Sequence, residues 1–155
     1  MPLYTAPRIS ILGASAVAVS GPADTNENIL ATVTIPAGAM GLNGILRVTS
    51  LWSYTNSVNN KTLRIRLGGI GGTSYLALTA TTSALFADVR EIANRGAANS
   101  QVTKSSGVQF GTSSGAVVTG SVDTTAATTL VLTGQKASGA ETLTLESYLC
   151  ELILP

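Results

Sequence analysis

The sequence predicts an all-β protein, a single antiparallel β-sandwich preceded by a short extended N-terminal arm. Three observations carry this. Apolar and polar residues alternate with period two in several runs, no 3.6-residue stripe of useful length appears, and clusters of Gly, Pro, Asn and Ser separate the runs. Successive strand side chains point to opposite faces, so period two marks a sheet with one face buried. A chain of 155 residues is one domain's worth and builds a core without disulfide or metal staples.

Residues 1–24 read as the arm and residues 25–155 as the sandwich. The stretch "ISILGASAVAVSG" (9–21) follows Arg8 and is apolar, but Gly13 and several serines interrupt it. It lacks the basic start of a signal peptide and is far short of the ~20 apolar residues that span a bilayer. A first strand or extended arm fits it better. In "NILATVTIP" the residues Ile29, Ala31, Val33 and Ile35 share one face, with Thr32 and Thr34 on the other. In "GILRVTSLWSYT" Leu46, Val48, Trp52 and Tyr54 face inward against Arg47, Thr49 and Ser53. "KTLRIRLGG" is cleanest, with Leu63, Ile65 and Leu67 inward and Arg64 and Arg66 outward.

The segments "PAGAMGLNG" (36–44) and "TNSVNN" (55–60) supply the turns. Further strands are expected at Ser74–Thr79, Leu85–Ile92, Val102–Lys104, Thr128–Gln135 and Thr142–Leu154. The last is apolar on both faces near its end, as in a central strand or one buried between subunits. Between 94 and 127 the pattern weakens into Gly, Ser, Thr and Ala, which reads as long loops with short strands.

Only 11% of residues are charged, under half the usual ~25%. The surface is therefore rich in hydroxyls, or covered by other chains. A net charge of +1 offers no field for nucleic acid or acidic membrane, and little repulsion against self-association. Cys150 is the single cysteine, which excludes an internal disulfide and any thiolate cluster within one chain. It reads as a small buried hydrophobe.

With no histidine, Ser–His–Asp and Cys–His catalysis and the common zinc sites are excluded. A Ser–Lys dyad needs a lysine in an apolar pocket, and Lys61, Lys104 and Lys136 all sit in contexts that read as solvated. Glycoside hydrolysis needs two carboxylates across a cleft. Asp88 and Glu91, three apart on a strand, point to opposite faces, and Glu146 and Glu151 share the problem. "DTNEN" (24–28) has alternating oxygen ligands but no calcium-loop Gly or bidentate Glu. "GGIGG" (68–72) lacks the spacing, the following helix and the Lys-Ser/Thr of a phosphate cradle. Arg64, Arg66, Arg90 and Arg95 suggest a small basic face, without the interleaved aromatics of a nucleic-acid platform. "NKT" (60–62) is formally a glycosylation sequon, which without a signal peptide reads as chance. No enzymatic activity, cofactor or metal is expected.

The run "LATVTIPAGAMGLNGILRVTSLWSYTNSVNNKTLRIRLGG", then "ANRGAANSQ" and "VDTTAATTLVLTGQKASGAETLTLESYLCELIL", resembles small virion proteins of tailed bacteriophages and segments of phage fibres and spikes. The resemblance runs from about Thr25 to Leu154 and brings no catalytic residues. It implies a jelly-roll-like sandwich that self-associates, commonly as a trimer, on the particle surface after synthesis in the bacterial host cytoplasm. The leading expectation is a capsid decoration (cement) protein binding the major capsid protein or other virion proteins. The alternative is a tail-fibre, spike or host-recognition module binding a cell-surface glycan or protein, with Trp52, Tyr54 and Tyr75 as stacking candidates. Arg8, Ile9, Ile11, Leu12, Arg64 and Arg66 are the candidate capsid or subunit contacts.

Overall fold

A computed structural model describes residues 8–106 and 115–155. The chain forms β1 (Arg8–Ser15), β2 (Val19–Ser20), β3 (Asn28–Ile35), β4 (Ile45–Tyr54), β5 (Lys61–Leu67), β6 (Thr73–Ala80), β7 (Leu85–Asn94), β8 (Gln101–Thr103), β9 (Val118–Gly120), β10 (Thr128–Lys136) and β11 (Leu143–Leu154). All pairings are antiparallel, and no helix occurs among the described residues. Every strand expected from the sequence is present within two residues of its expected ends.

Sheet A runs β1-β11-β4-β7-β8-β9, with β2 also on β11; sheet B runs β3-β10-β5-β6. The pairs β1–β11, β3–β10, β4–β7 and β5–β6 are the rungs of one long hairpin. Rolling that hairpin up brings β11 beside β4 and β10 beside β5, which makes a jelly roll. The stretch at 1–24, read above as an arm, thus contributes β1 as the outermost strand of sheet A. Arg8 lies opposite Leu154 and Ser15 opposite Tyr148.

The core is the space between the sheets. Leu46, Val48 and Trp52 of β4 meet Leu63, Ile65 and Leu67 of β5, with Val33, Ile35, Leu130, Leu132, Leu145, Cys150 and Leu152 around them. Trp52 is fully buried, and its Nε1 donates to the inward Ser50 Oγ at 3.0 Å. That bond satisfies an indole N–H that would otherwise be stranded.

β-Bulges account for the faces that simple alternation misassigns, because each extra residue reverses the parity beyond it. On β3, Leu132 of β10 faces Ala31 while Thr133 faces Ile29, so Leu30 is the extra residue. Leu30 therefore turns inward and Ile29, expected inside, is 46% exposed. Similar irregularities fall at Leu12, Tyr75 and Glu146.

Turn glycines do specific work at two places. Gly68 and Gly69 have φ of 94° and 74°; both amides donate to Thr129 O on β10, and Gly72 N donates to Gly69 O at 3.0 Å to close the β5–β6 turn. The "GGIGG" segment is thus a turn. Gly44 lies where an added Cβ would sit 2.2 Å from the Met40 carbonyl oxygen.

Candidate functional site

The two outer faces of the sandwich differ in chemistry. Sheet B's is polar and centred on Glu27, just before β3. Arg66 donates to both carboxylate oxygens, at 2.7 and 3.0 Å, and Thr133 Oγ1 donates at 2.6 Å. Arg64 Nη1 stands 3.3 Å from the same carboxylate, and its Nη2 donates to Gln135 at 3.0 Å. Alternation along β5 places both arginines on one face, and register places Thr133 and Gln135 beside them on β10. Partial burial pushes the Glu27 carboxyl up. The bonds from Arg66 and Thr133, with both guanidinium charges, outweigh that and hold it below the ordinary value. Thr32, Thr34, Thr62 and Thr79 fill much of the remaining face.

Sheet A's outer face is apolar. Ile9 and Ile11 of β1, Leu85 and Val89 of β7 and Val117 before β9 are exposed by 59, 67, 62, 47 and 60%. Ile45, Leu51, Leu149 and Ile153 lie half-buried among them. Near its centre Arg47 Nε is 3.0 Å from Glu91, and Nη1 is 3.8 Å from Glu151. A shallow depression along β7 and β8, about 480 Å³, is lined by Val89, Glu91, Ala93, Val102, Thr103, Lys104 and Val117.

The six candidate contact residues do not form one site. Arg8, Ile9 and Ile11 are exposed on β1, and Leu12, as the bulge residue, packs against the core. Arg64 and Arg66 lie on the opposite side of the sandwich, both paired with Glu27. The proposed four-arginine basic face does not form. Arg90 faces the interior with no exposure, donating to Asp88 at 2.9 Å and to the Lys104 carbonyl at 2.7 Å.

Two of the three lysines read as solvated are buried. Lys61 and Lys136 are opposite one another at the end of β5 and β10, and they are 0 and 4% exposed. Lys136 Nζ donates to the carbonyls of Pro22 at 2.7 Å and Glu141 at 2.9 Å. Lys61 Nζ donates to Ser57 Oγ at 2.9 Å and lies 3.8 Å from the Glu141 carboxylate. Ser57 in turn donates its hydroxyl proton to Glu141, as Asn59 donates its amide. The proton flow is therefore opposite to that of a Ser–Lys nucleophile, in which a neutral lysine accepts from serine. The bond from Ser57 is the main influence holding Glu141 below the ordinary carboxylate range, which makes it a poor base. The cluster ties three loops together.

Asp88 and Glu91 point to opposite faces, as expected: Asp88 is buried and Glu91 exposed. Glu146 and Glu151 do not. The bulge at Glu146 puts both on the outer face, where they contact Ser53 and Arg47. Those partners are six residues apart on β4, ~20 Å, so the carboxylates still cannot flank one bond. Asp24 spends its oxygen on Asn26 N and Asn28 Nδ2, a local turn. Among the described residues no group of three acidic, histidine or cysteine side chains could hold a metal ion. The stacking candidates Trp52, Tyr54 and Tyr75 are all core residues, 0, 5 and 0% exposed. Tyr75 is reached through the β6 bulge, and its hydroxyl, pushed up to about 12 by burial, donates to Gln101 at 3.0 Å.

The Glu27 hub and the cluster of exposed apolar side chains on sheet A were not anticipated. A carboxylate just ahead of a strand opposite an Arg-x-Arg strand was the available signal for the hub.

No known family and no curated protein matches the sequence. Among solved structures, the VP2 subviral particle of infectious bursal disease virus aligns over 96% of this chain and 33% of its own, at 13% identity and a TM-score of 0.41. The CBM2 module of the evolved Dit of Lactobacillus casei BL23 phage J-1 aligns over 80% of this chain and 69% of its own, at 15% identity and a TM-score of 0.40. This chain thus spans about a third of the VP2 chain's length. Likeness at these scores carries no functional argument.

Proposed function

We propose that this chain is a non-enzymatic structural protein of a tailed-phage virion, acting as a decoration protein that binds the outer shell and stabilises it. The observation that carries this reading is a fully formed jelly roll whose outermost strand, β1, leaves Ile9 and Ile11 exposed by 59 and 67% at the free edge of sheet A. The polar clusters of the fold support the same reading. Glu27, Glu141 and Asp88 are each engaged by neighbouring cations or hydroxyls, so they brace the fold and are not poised to react. A partner that binds only the assembled shell lowers its free energy, and repetition over the shell adds avidity.

The shell contact is placed on β1, where Arg8, Ile9 and Ile11 project from the free edge of sheet A. An exposed edge strand offers both unpaired backbone groups and apolar side chains to a neighbour. The test is co-sedimentation of the protein with purified parent shells. Wild type is expected to pellet with shells and raise their melting temperature, while Ile9→Asp/Ile11→Asp, folded by circular dichroism, stays in the supernatant. Undiminished binding by that variant overturns the β1 assignment. Immunogold labelling confined to the tail would overturn decoration in favour of a fibre or host-recognition role.

A further inference from the structure

We propose that the outer face of sheet A packs against the same face of a second copy, sheet on sheet, about a two-fold axis. The face is formed by β11, β4 and β7 with β1 as its rim. Its side chains alternate outward as Ile45, Arg47, Thr49, Leu51 and Ser53 on β4, and as Leu85, Ala87, Val89, Glu91 and Ala93 on β7. On β11 the outward side chains are Ser147, Leu149, Glu151 and Ile153, with Glu146 beside them at the bulge. The opposite side of the sandwich carries threonines and the Glu27 hub, with Ile29 its one large exposed apolar side chain on a strand among the described residues, so most of the strand-borne apolar surface lies on sheet A. Monomeric soluble proteins seldom expose a continuous apolar patch beyond a few hundred Å².

The area suits a second copy. Three strands, β11, β4 and β7, ~4.8 Å apart and ten to twelve residues long at ~3.3 Å each, cover ~500 Å² without the rim strand β1. Two such faces bury ~1,000 Å², which reaches the lower bound for a specific interface. Identical sheets also share one twist, so they stack closely in the aligned geometry of β-sandwiches.

The charges fit the same occupant. Arg47 sits between Glu91 and Glu151, so the centre of the patch carries a single net negative charge and gives a strongly charged partner little to hold. A two-fold contact sets Arg47 of each copy against the patch that holds the other copy's carboxylates, so opposite charges face one another twice. A shallow depression lined by Thr49, Leu51, Ala87, Val89 and Ser147 gives an apolar side chain of the second copy a seat. This contact goes beyond shell binding, and it gives a dimer in place of the trimer that the sequence resemblance implies.

The test is sedimentation velocity on the full chain at high micromolar concentration. Wild type is expected at twice its chain mass of 15.7 kDa. Val89→Lys and Leu85→Lys, each placing an unpaired ammonium in the contact, are expected to weaken the dimer about 100-fold and run as monomers. Thr32→Lys, on the outer face of sheet B, is expected to remain dimeric. Near-ultraviolet circular dichroism and melting temperature confirm that the variants are folded. A wild-type monomer, a trimer, or a dimer indifferent to both face substitutions would overturn the proposal. Shell binding, read through Ile9 and Ile11, is scored separately, so failure of one reading is distinguishable from failure of the other.

Discussion

Replacing Glu27 by Gln removes the charge that two arginines share and keeps the shape of the side chain. Glu27 accepts two bonds from Arg66 and one from Thr133, and it faces Arg64 at 3.3 Å. A hydrogen bond to a charged group is worth ~1.5–3 kcal/mol net. Gln retains one acceptor oxygen, and the three side chains are 18–19% exposed, so solvent screens part of the remainder. The loss comes to ~2 kcal/mol, to which the unshielded repulsion between Arg64 and Arg66 contributes. Unfolding entropy near ~2.1 cal/mol/K per residue turns this into a fall of ~6 °C in Tm for a chain of 155 residues.

The assay is thermal melting followed by circular dichroism across a pH series. Because the folded-state pKa of Glu27 lies below its unfolded value of 4.5, its stabilisation is present in full above that value. It is lost as pH falls through the lower folded pKa. The gap in Tm between wild type and Glu27→Gln should therefore be wide at neutral pH, begin to narrow below pH ~4.5 and close at lower pH, where wild type is itself protonated. A gap under ~1 °C at neutral pH, or one that persists unchanged into strong acid, would refute the assignment of Glu27 as an ionised hub.

Two further outcomes follow from particular residues. Cys150 is buried, and desolvation, aided by the charge of Glu151, pushes its thiol up to about 12. An aromatic disulfide reagent at mildly alkaline pH should therefore leave native protein unlabelled and modify one thiol per chain in denaturant; rapid native labelling would contradict the packing of β11. Gly44→Ala forces a methyl group onto the Met40 carbonyl, 2.2 Å from the ideal Cβ, and backbone on both sides must shift. A loss of ~3 kcal/mol is expected from denaturant titration, and a near-neutral result would show that this turn is not closed as described.

Much of the architecture was legible because β4 and β5 alternate without interruption. Leu46, Val48, Trp52, Leu63, Ile65 and Leu67 each occupy the face their parity assigns. Parity failed at Ile29 and Glu146, where the chain inserts a bulge. A bulge is set by the match between a strand and its partner, which one strand's sequence does not contain. The lysines failed for a related reason. Lys61 and Lys136 look like ordinary solvated termini until register sets them opposite one another beneath loop carbonyls and Glu141. Arg90 was misplaced because an arginine on a strand usually faces water, and here Asp88 two residues earlier lets it face inward. Of the candidate contacts, the apolar character of Ile9 and Ile11 was visible. That Arg64 and Arg66 lie on the other side of the sandwich followed only from the topology.

The position of β11 has a consequence for how the protein is made. Residues 143–154 are not an edge trimming but the strand that joins β1 to β4 inside sheet A. Until they leave the ribosome, β1 and β2 have no partner and only β4, β7, β8 and β9 of sheet A can pair. The fold therefore closes only after synthesis has passed Leu154, through pairings separated by most of the chain, which favours slow, late closure. A nascent chain that stops short leaves β1 and β2 without their partner, so the roll stays open until its last strand is in place.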